Sequence, residues 1–346
     1  MPDRNGASSG SGDSARIVED IRERGEEAVR EWALRLDNCE PRSAESDGEI
    51  PREALLALAD AVRRWHESQR PADIRLELSS GVELERRWVP LDSVGIYVPR
   101  RLVSTLVMCA VPAQVAGVRE IVIATPPEGS GAVAAAAGLL GLSDVWALGG
   151  PQAIGWLAYV RRVAKIVGPG SARVNEAKLL VSRDVAIDLP AGPSEVVVLA
   201  SSGADRRAAE LELAAQAEHG PDSVCRIVEG SGDLEAALAE VETMAPEHLV
   251  LLGEKAEALA PRIRNAGSVF VGRSSAVAAG DYATGANHVL PTGGWARSVG
   301  GLGLEAFLKP VTVQRLTPAG LSALRPVIEA LAEVERMPAH AEAARR

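Results

Sequence analysis

The stretch "VAIDLPAGPSEVVVLA", residues 185–200, sets two apolar runs on either side of a Gly-Pro turn. The second run, "VVVLA", is apolar at every position rather than at alternate ones. Such a run describes a strand covered on both faces, as in a parallel sheet. The same texture recurs outward along the chain: "VGIYVP" from residue 94, "EIVIAT" from 120, "VWALGG" from 145 and "AKIVGPG" from 164. It continues with "CRIVEG" from 225, "HLVLLG" from 248 and "GSVFVG" from 267. Ala-rich stretches with helical period lie between these runs, at about 204–219, 231–244 and 254–266. Short buried strands alternating with helices predict an α/β fold with parallel sheets. In a chain of 346 residues they predict two Rossmann-like three-layer α/β domains with a cleft between them. Amphipathic patterns at 14–37 (Ile17, Ile21, Val29, Trp32, Leu36) and 51–68 add a helical N-terminal segment. The final stretch, "GLSALRPVIEALAEVERMPAHAEAARR", reads as an amphipathic helix interrupted at Pro326 and Pro338.

Composition narrows the function. The net charge of -10 argues against a nucleic-acid binder, which needs a basic face to displace counterions. Lys and Arg are dispersed, and apolar runs such as "GAVAAAAGLLGL" are too short to span a bilayer, so no membrane role is expected. The beginning, "MPDRNGASSGSGDSA", reads as a flexible tail without a signal core. Cys39, Cys109 and Cys225 are odd in number and far apart, which fits neither a disulfide framework nor a CxxC metal knuckle. Together these features predict a cytoplasmic protein. No GxGxxG follows any strand, so a dinucleotide, if bound, is not held by the usual glycine fingerprint.

The five histidines concentrate the chemistry. His66, in "VRRWHESQR", reads as a surface or capping residue. The others each stand near another group able to bind metal or move a proton. Gln216 and His219 in "QAEH" are three apart and share a helix face, although by spacing alone a helix end explains them as well. "APEHL" places Glu247 and His248 just before a strand, where adjacent groups can act as a proton-transfer pair or merely cap a helix. "GDYATGANH" brings Asp281 and His288 into a Gly-rich loop. "KIVGPGSARVNEAK" and "IDLPAGPSEVVV" carry Gly-Pro turns whose N–H groups suit anions, or which are ordinary tight turns.

Taken in order, "VGIYVP", "CAVPAQVAGV", "GGPQAI", "KIVGPG", "NEAK", "IDLPAGPSEV", "QAEHGPD", "APEHL", "AGSVFVGR", "GDYATGANHVLPTGGWAR" and "GLGLEAF" resemble the histidinol dehydrogenase family from about residue 14 onward. The resemblance implies oxidation of L-histidinol to L-histidine through L-histidinal, the last step of histidine biosynthesis, with Zn2+ and NAD as cofactors. It implies Gln216, His219, Asp281 and His340 as zinc ligands, His340 coming from the partner of a homodimer with shared active sites. Glu247 and His248 would do the acid-base work. The substrate would be held by Ser194, Gln216, His219, His288, Glu335 and His340, and NAD by Tyr97, Gln152 and Ser171. The implied organisation is a tail at 1–13 and a zinc and substrate domain from 14–94 with 196–302. An NAD domain at 95–195 and a C-terminal helical dimer arm at 303–346 complete it.

The departures from the family pattern fall on the cofactor side. Arg100 and Arg101 follow "YVP" where the family runs through Gly-Gly, Ser171 replaces an Asn, and Arg173 stands where an aromatic is usual. The segment between His219 and Glu247 is shortened. Kept zinc ligands do not themselves fix a substrate. A zinc- and NAD-dependent dehydrogenase of another amino alcohol or polyol, and a catalytically weak zinc-binding homologue, are therefore the alternatives.

Overall fold

The structure is a computed structural model that describes residues 11–47, 49–189 and 192–345. The expected tail lies outside the described residues as far as residue 10, and residues 11–13 already belong to the first helix. The chain divides into two compact units, one running to Gln69 and resuming over Leu91–Phe307, the other formed by Arg70–Pro90 and Leu308–Arg346.

The first unit holds two sheets. One is built from β1 (Arg42–Ser43), β4 (Ser93–Tyr97), β5 (Glu120–Thr125), β6 (Val145–Ala147), β7 (Lys165–Val167) and β8 (Ala186–Ile187). Its order is β1-β6-β5-β4-β7-β8, parallel throughout except where β1 runs antiparallel along β6. Helices α4 (Val103–Ala116), α5 (Ser130–Leu139), α6 (Gly150–Gly155) and α7 (Ala172–Val181) connect these strands. The order reverses between β4 and β7, the switch point where doubly wound sheets leave a crevice at their carboxyl ends. All five residues of β4 are buried, which is why its sequence shows no alternation.

The second sheet, all parallel, has the order β10-β9-β11-β12, with β9 (Glu195–Ala200), β10 (Val224–Glu229), β11 (His248–Leu252) and β12 (Ser268–Val271). It carries α8 (Arg206–Ala217), α9 (Leu234–Met244), α10 (Glu254–Glu257) and α11 (Val277–Tyr282). Asp205 and Asp233 cap α8 and α9, accepting from the N–H groups of Ala208 and Ala236. Such caps satisfy donors that the helix start leaves orphaned.

The N-terminal helices are α1 (Ser11–Arg24), α2 (Glu26–Leu36) and α3 (Arg52–Glu67). Gly25, at φ +63°, divides the single pattern read over 14–37 into two helices. Helices α1 and α2 were expected with the second sheet, but they pack in the core of the first. Ile17, Val18, Ile21, Ala28, Val29 and Ala33 share one buried cluster with Tyr97, Val122, Leu148 and Ile154. An amphipathic stripe says that a face is buried and is silent about what covers it.

The second unit is a three-stranded antiparallel sheet, β13-β3-β2, with β2 (Ile74–Ser79), β3 (Val82–Pro90) and β13 (Leu308–Leu316). It ends in α12 (Pro318–Val334) and α13 (Pro338–Ala343). The C-terminal arm is thus part strand, and the register runs without a break from Leu308 opposite Pro90 to Leu316 opposite Val82. Thr317 caps α12 by accepting from Gly320 N, directly beside the tight turn at Gly81. Among the described residues no helix is long and apolar enough to cross a membrane.

The packing of α1 has a measurable consequence. Ile21 is fully buried, so Ile21→Ala should cost about 2–5 kcal/mol of unfolding free energy in urea. Leu34 on α2 is 47% exposed, and Leu34→Ala should cost about 0.5 kcal/mol or less.

Candidate active site

Strands β9 and β11 are neighbours, with His248 opposite Val196. That register sets the residues entering β9, Ser194 and Glu195, beside those entering β11, Glu247 and His248. Glu247 Oε2 accepts from Ser194 Oγ at 2.6 Å and from Glu195 N at 2.7 Å. The Glu195 carboxylate accepts in turn from Glu247 N at 3.2 Å and from Gly293 N at 3.0 Å. Its backbone carbonyl accepts from His248 Nδ1 at 3.0 Å. A carbonyl can only accept, so the proton of neutral His248 sits on Nδ1 and the lone pair on Nε2. That Nε2 lies 3.9 Å from Asp281 Oδ1.

Burial dominates the electrostatics here. It pushes the Glu247 carboxyl up to about 7, against the bonds from Ser194 and Glu195 N, with the charges of Glu195 and Asp281 adding to the rise. Burial likewise lowers His248, so the imidazole is neutral near pH 7 despite Asp281. Asp281 is raised by burial while the imidazoles of His248 and His219 pull it back. His288 is held down to about 4 by burial. Its Nδ1 donates to Asp281 O at 3.1 Å, and its Nε2 lies 3.2 Å from Thr105 Oγ1 in the first turn of α4.

Gln216 is buried near the end of α8, and its amide nitrogen donates to Ser194 Oγ at 2.6 Å. Ser194 therefore links Gln216 to Glu247. His219, exposed just past the helix, has Nδ1 3.3 Å from Gln216 O. Ser194, Gln216, His219, Glu247, His248, Asp281 and His288 thus belong to one neighbourhood. Glu335 and His340 lie in the second unit, both exposed.

An amide oxygen (Gln216), an imidazole (His219) and a carboxylate (Asp281) form a donor set chemically suited to a zinc ion. Among the described residues no group of three or more His, Cys, Asp and Glu side chains converges as a metal site by itself. The set holds two such residues besides its glutamine.

Tyr97 ends β4, buried, and its hydroxyl accepts from Gly150 N at 3.2 Å. Gln152, also buried, donates from Nε2 to Asp37 Oδ2 at 3.0 Å, while its Oε1 has no partner among the described residues. Asp37 Oδ2 accepts from Gly149 N as well, so it fixes the turn after β6. Ser171 is exposed at the start of α7, immediately after the Gly168–Gly170 turn. All three stand at carboxyl ends of the first sheet. Arg100 pairs with Glu128 at 2.8 Å. Arg101, at φ +58°, packs against Gly129 in the loop after β5.

Three contributors escaped the sequence reading. Glu195 and Asp37 act through groups distant in sequence, mainly backbone N–H groups of loops, and Thr105 sits within an apolar helix. The one available signal was a carboxylate leading directly into the apolar run "VVVLA". His66, read as a surface residue, is instead fully buried: Nδ1 donates to Val62 O at 2.7 Å, and Asn287 Nδ2 lies 3.4 Å from Nε2. It shares the buried face of α3 with Leu55, Leu58, Ala59 and Val62.

The family model described as histidinol dehydrogenase matches residues 5–234 and 230–346. A histidinol dehydrogenase from Idiomarina loihiensis is 38% identical over 388 residues, covering 94% of this chain and 88% of the relative. One from Methanosarcina mazei is 37% identical, covering 95% and 90% respectively. The first alignment is longer than the 346-residue chain, so it includes positions that this chain lacks. The crystal structure of histidinol dehydrogenase from Elizabethkingia anophelis superposes with a TM-score of 0.90 at 31% identity, covering 99% of this chain and 93% of that one. Succinate-semialdehyde dehydrogenase from Burkholderia pseudomallei shares the fold alone, with a TM-score of 0.54 at 12% identity over 90% of this chain and 86% of its own. The chain belongs to the histidinol dehydrogenase family.

Proposed function

We propose that the chain oxidises L-histidinol through L-histidinal to L-histidine, the closing step of histidine biosynthesis, in the cytoplasm and with zinc and NAD. The observation that carries this reading is the buried Glu247–His248 pair, both members oriented by Glu195 beside Asp281. Gln216, His219 and Asp281 would hold the metal with His340 of the partner subunit, and Tyr97, Gln152 and Ser171 would line the NAD site. When bound, zinc anchors the substrate's nitrogens and NAD accepts hydride.

The chain's own groups then account for the protons. His248 Nε2, carrying a lone pair and neutral near pH 7, takes the hydroxyl proton as the carbinol hydrogen leaves as hydride. Water adds to the aldehyde with Glu247 as the base. Among the described residues both hydrogen bonds to the Glu247 carboxylate fall on Oε2, which leaves Oε1 for the water proton. Loss of a second hydride from the hydrate to a second NAD, with the two hydroxyl protons leaving to His248 and solvent, yields the carboxylate. His288, also neutral, lines the pocket without contributing charge, and Ser194 keeps Glu247 and Gln216 in one frame.

Glu335 and His340 complete the site from the partner subunit. Support for a second copy comes from α12 and the residues after it, which expose Val327 (59%), Leu331 (57%), Val334 (82%) and Met337 (45%) at helical spacing.

The purified protein should form NADH from NAD when given L-histidinol, and not from other amino alcohols or polyols. His248→Asn should lower kcat by about 10²–10⁴-fold. Oxidation of supplied L-histidinal should rise as pH increases through about 7, the range in which Glu247 gives up its proton. Glu247→Gln should flatten that profile. Ser194→Ala removes a bond that holds the Glu247 carboxyl down, so its inflection should move to higher pH. Mixing inactive Gln216→Ala and His340→Ala subunits should restore about a quarter of the wild-type sites, since one of two sites in each mixed dimer is intact. No recovery after subunit exchange would refute the shared site.

A further inference from the structure

Beneath the Gly168–Ser171 turn lies an ion pair to which the chemistry above gives no role. Lys178 on α7 and Asp188 just past β8 have side chains only 2% and 1% exposed. Lys178 Nζ pairs with Asp188 Oδ1 and donates to Gly168 O at 2.8 Å. Asp188 Oδ2 accepts from Gly168 N at 2.7 Å, and Oδ1 accepts from Leu189 N at 2.7 Å. The pair thus grips both the N–H and the carbonyl of a single glycine. Gly168 has φ +110°, and a Cβ there would meet Tyr97 O at 2.1 Å, so the turn is pressed against the end of β4 as closely as a backbone allows. Asn175, also on α7, donates to Gly170 O at 2.9 Å and fixes the far side of the turn.

A buried ion pair is a poor stabiliser, because desolvation offsets its Coulomb attraction and apolar replacements of similar volume often fold as well. A pair kept at the switch point between β4 and β7 therefore asks for a reason other than stability. We propose that Lys178 and Asp188 are positioning residues for the dinucleotide: they fix the height and direction of the Gly168–Ser171 turn against Tyr97, so that the cofactor is held in reach of the acid-base pair. The inference rests on the reading of Ser171 and Tyr97 as cofactor contacts. It adds two residues that touch no ligand themselves.

The test compares the single variants Lys178→Met and Asp188→Leu with the double variant, on the full-length chain. Each single variant leaves one charge buried and unpaired, and its thermal midpoint should fall the furthest. The double variant removes both charges and should recover much of that loss. Its NAD affinity, read by titration calorimetry, should stay at least about tenfold below wild type, because Gly168 has lost both partners. In steady-state kinetics the KM for NAD should rise while the KM for L-histidinol changes by less than about twofold. A refolded double variant with NAD affinity within about twofold of wild type would overturn the proposal. Should the double variant not fold, Lys178→Arg keeps the charge but alters the reach to Gly168 O, and unchanged NAD affinity there would overturn it equally. Absence of NAD binding by wild type would instead bring down the cofactor reading, and this inference with it.

Discussion

Everything at the candidate site depends on the parallel register of β9 and β11. With His248 opposite Val196, the residues entering the two strands cannot avoid one another, and two glutamates are forced into the same buried corner. The corner is tolerable because one carboxylate is surrounded by donors while the other sits near pH 7. Glu195 receives two backbone N–H groups and Glu247 a hydroxyl and a third N–H. A shift of one residue along β11 would move Glu247 away from Ser194 and Glu195 N and leave buried carboxyls unpaired.

The two sheets use opposite ends. The first presents carboxyl ends, where Tyr97, Gln152 and Ser171 lie, as doubly wound folds usually do. The second presents amino ends, where Ser194 and Glu247 lie. The chain leaves the first sheet at the carboxyl end of β8 and enters the second at the amino end of β9. The contact between Thr105 at the start of α4 and His288 closes the same junction from the other side.

The sequence was most informative where burial is complete. Strands such as "EIVIAT" and "HLVLLG" are apolar at nearly every position because both of their faces are covered. The second unit was illegible for the converse reason: β2 is exposed along its whole length and β3 carries Glu83, Glu85, Arg86 and Arg87. Ladder hydrogen bonds, not side-chain burial, define those strands. Residue types and the motif order pointed to Glu247, His248 and their neighbours, which the structure brings together. Glu195, Asp37, Lys178 and Asp188 work by gripping backbone groups contributed by other elements, and a one-dimensional pattern holds no record of such partners. His66 was misread because charged neighbours flank it in sequence while the helix turns it the other way.

His66 also ties distant parts of the chain together. Asn287, beside its imidazole, donates to Met108 O, and its own Oδ1 accepts from Val289 N. The loop that carries His288 is therefore anchored to α3 and α4, and through them to helices far removed in sequence. If α3 frays on heating before either parallel sheet comes apart, that anchor is released first. Inactivation would then precede the loss of sheet structure, and the working temperature of the protein would be set by a helix that takes no part in the chemistry.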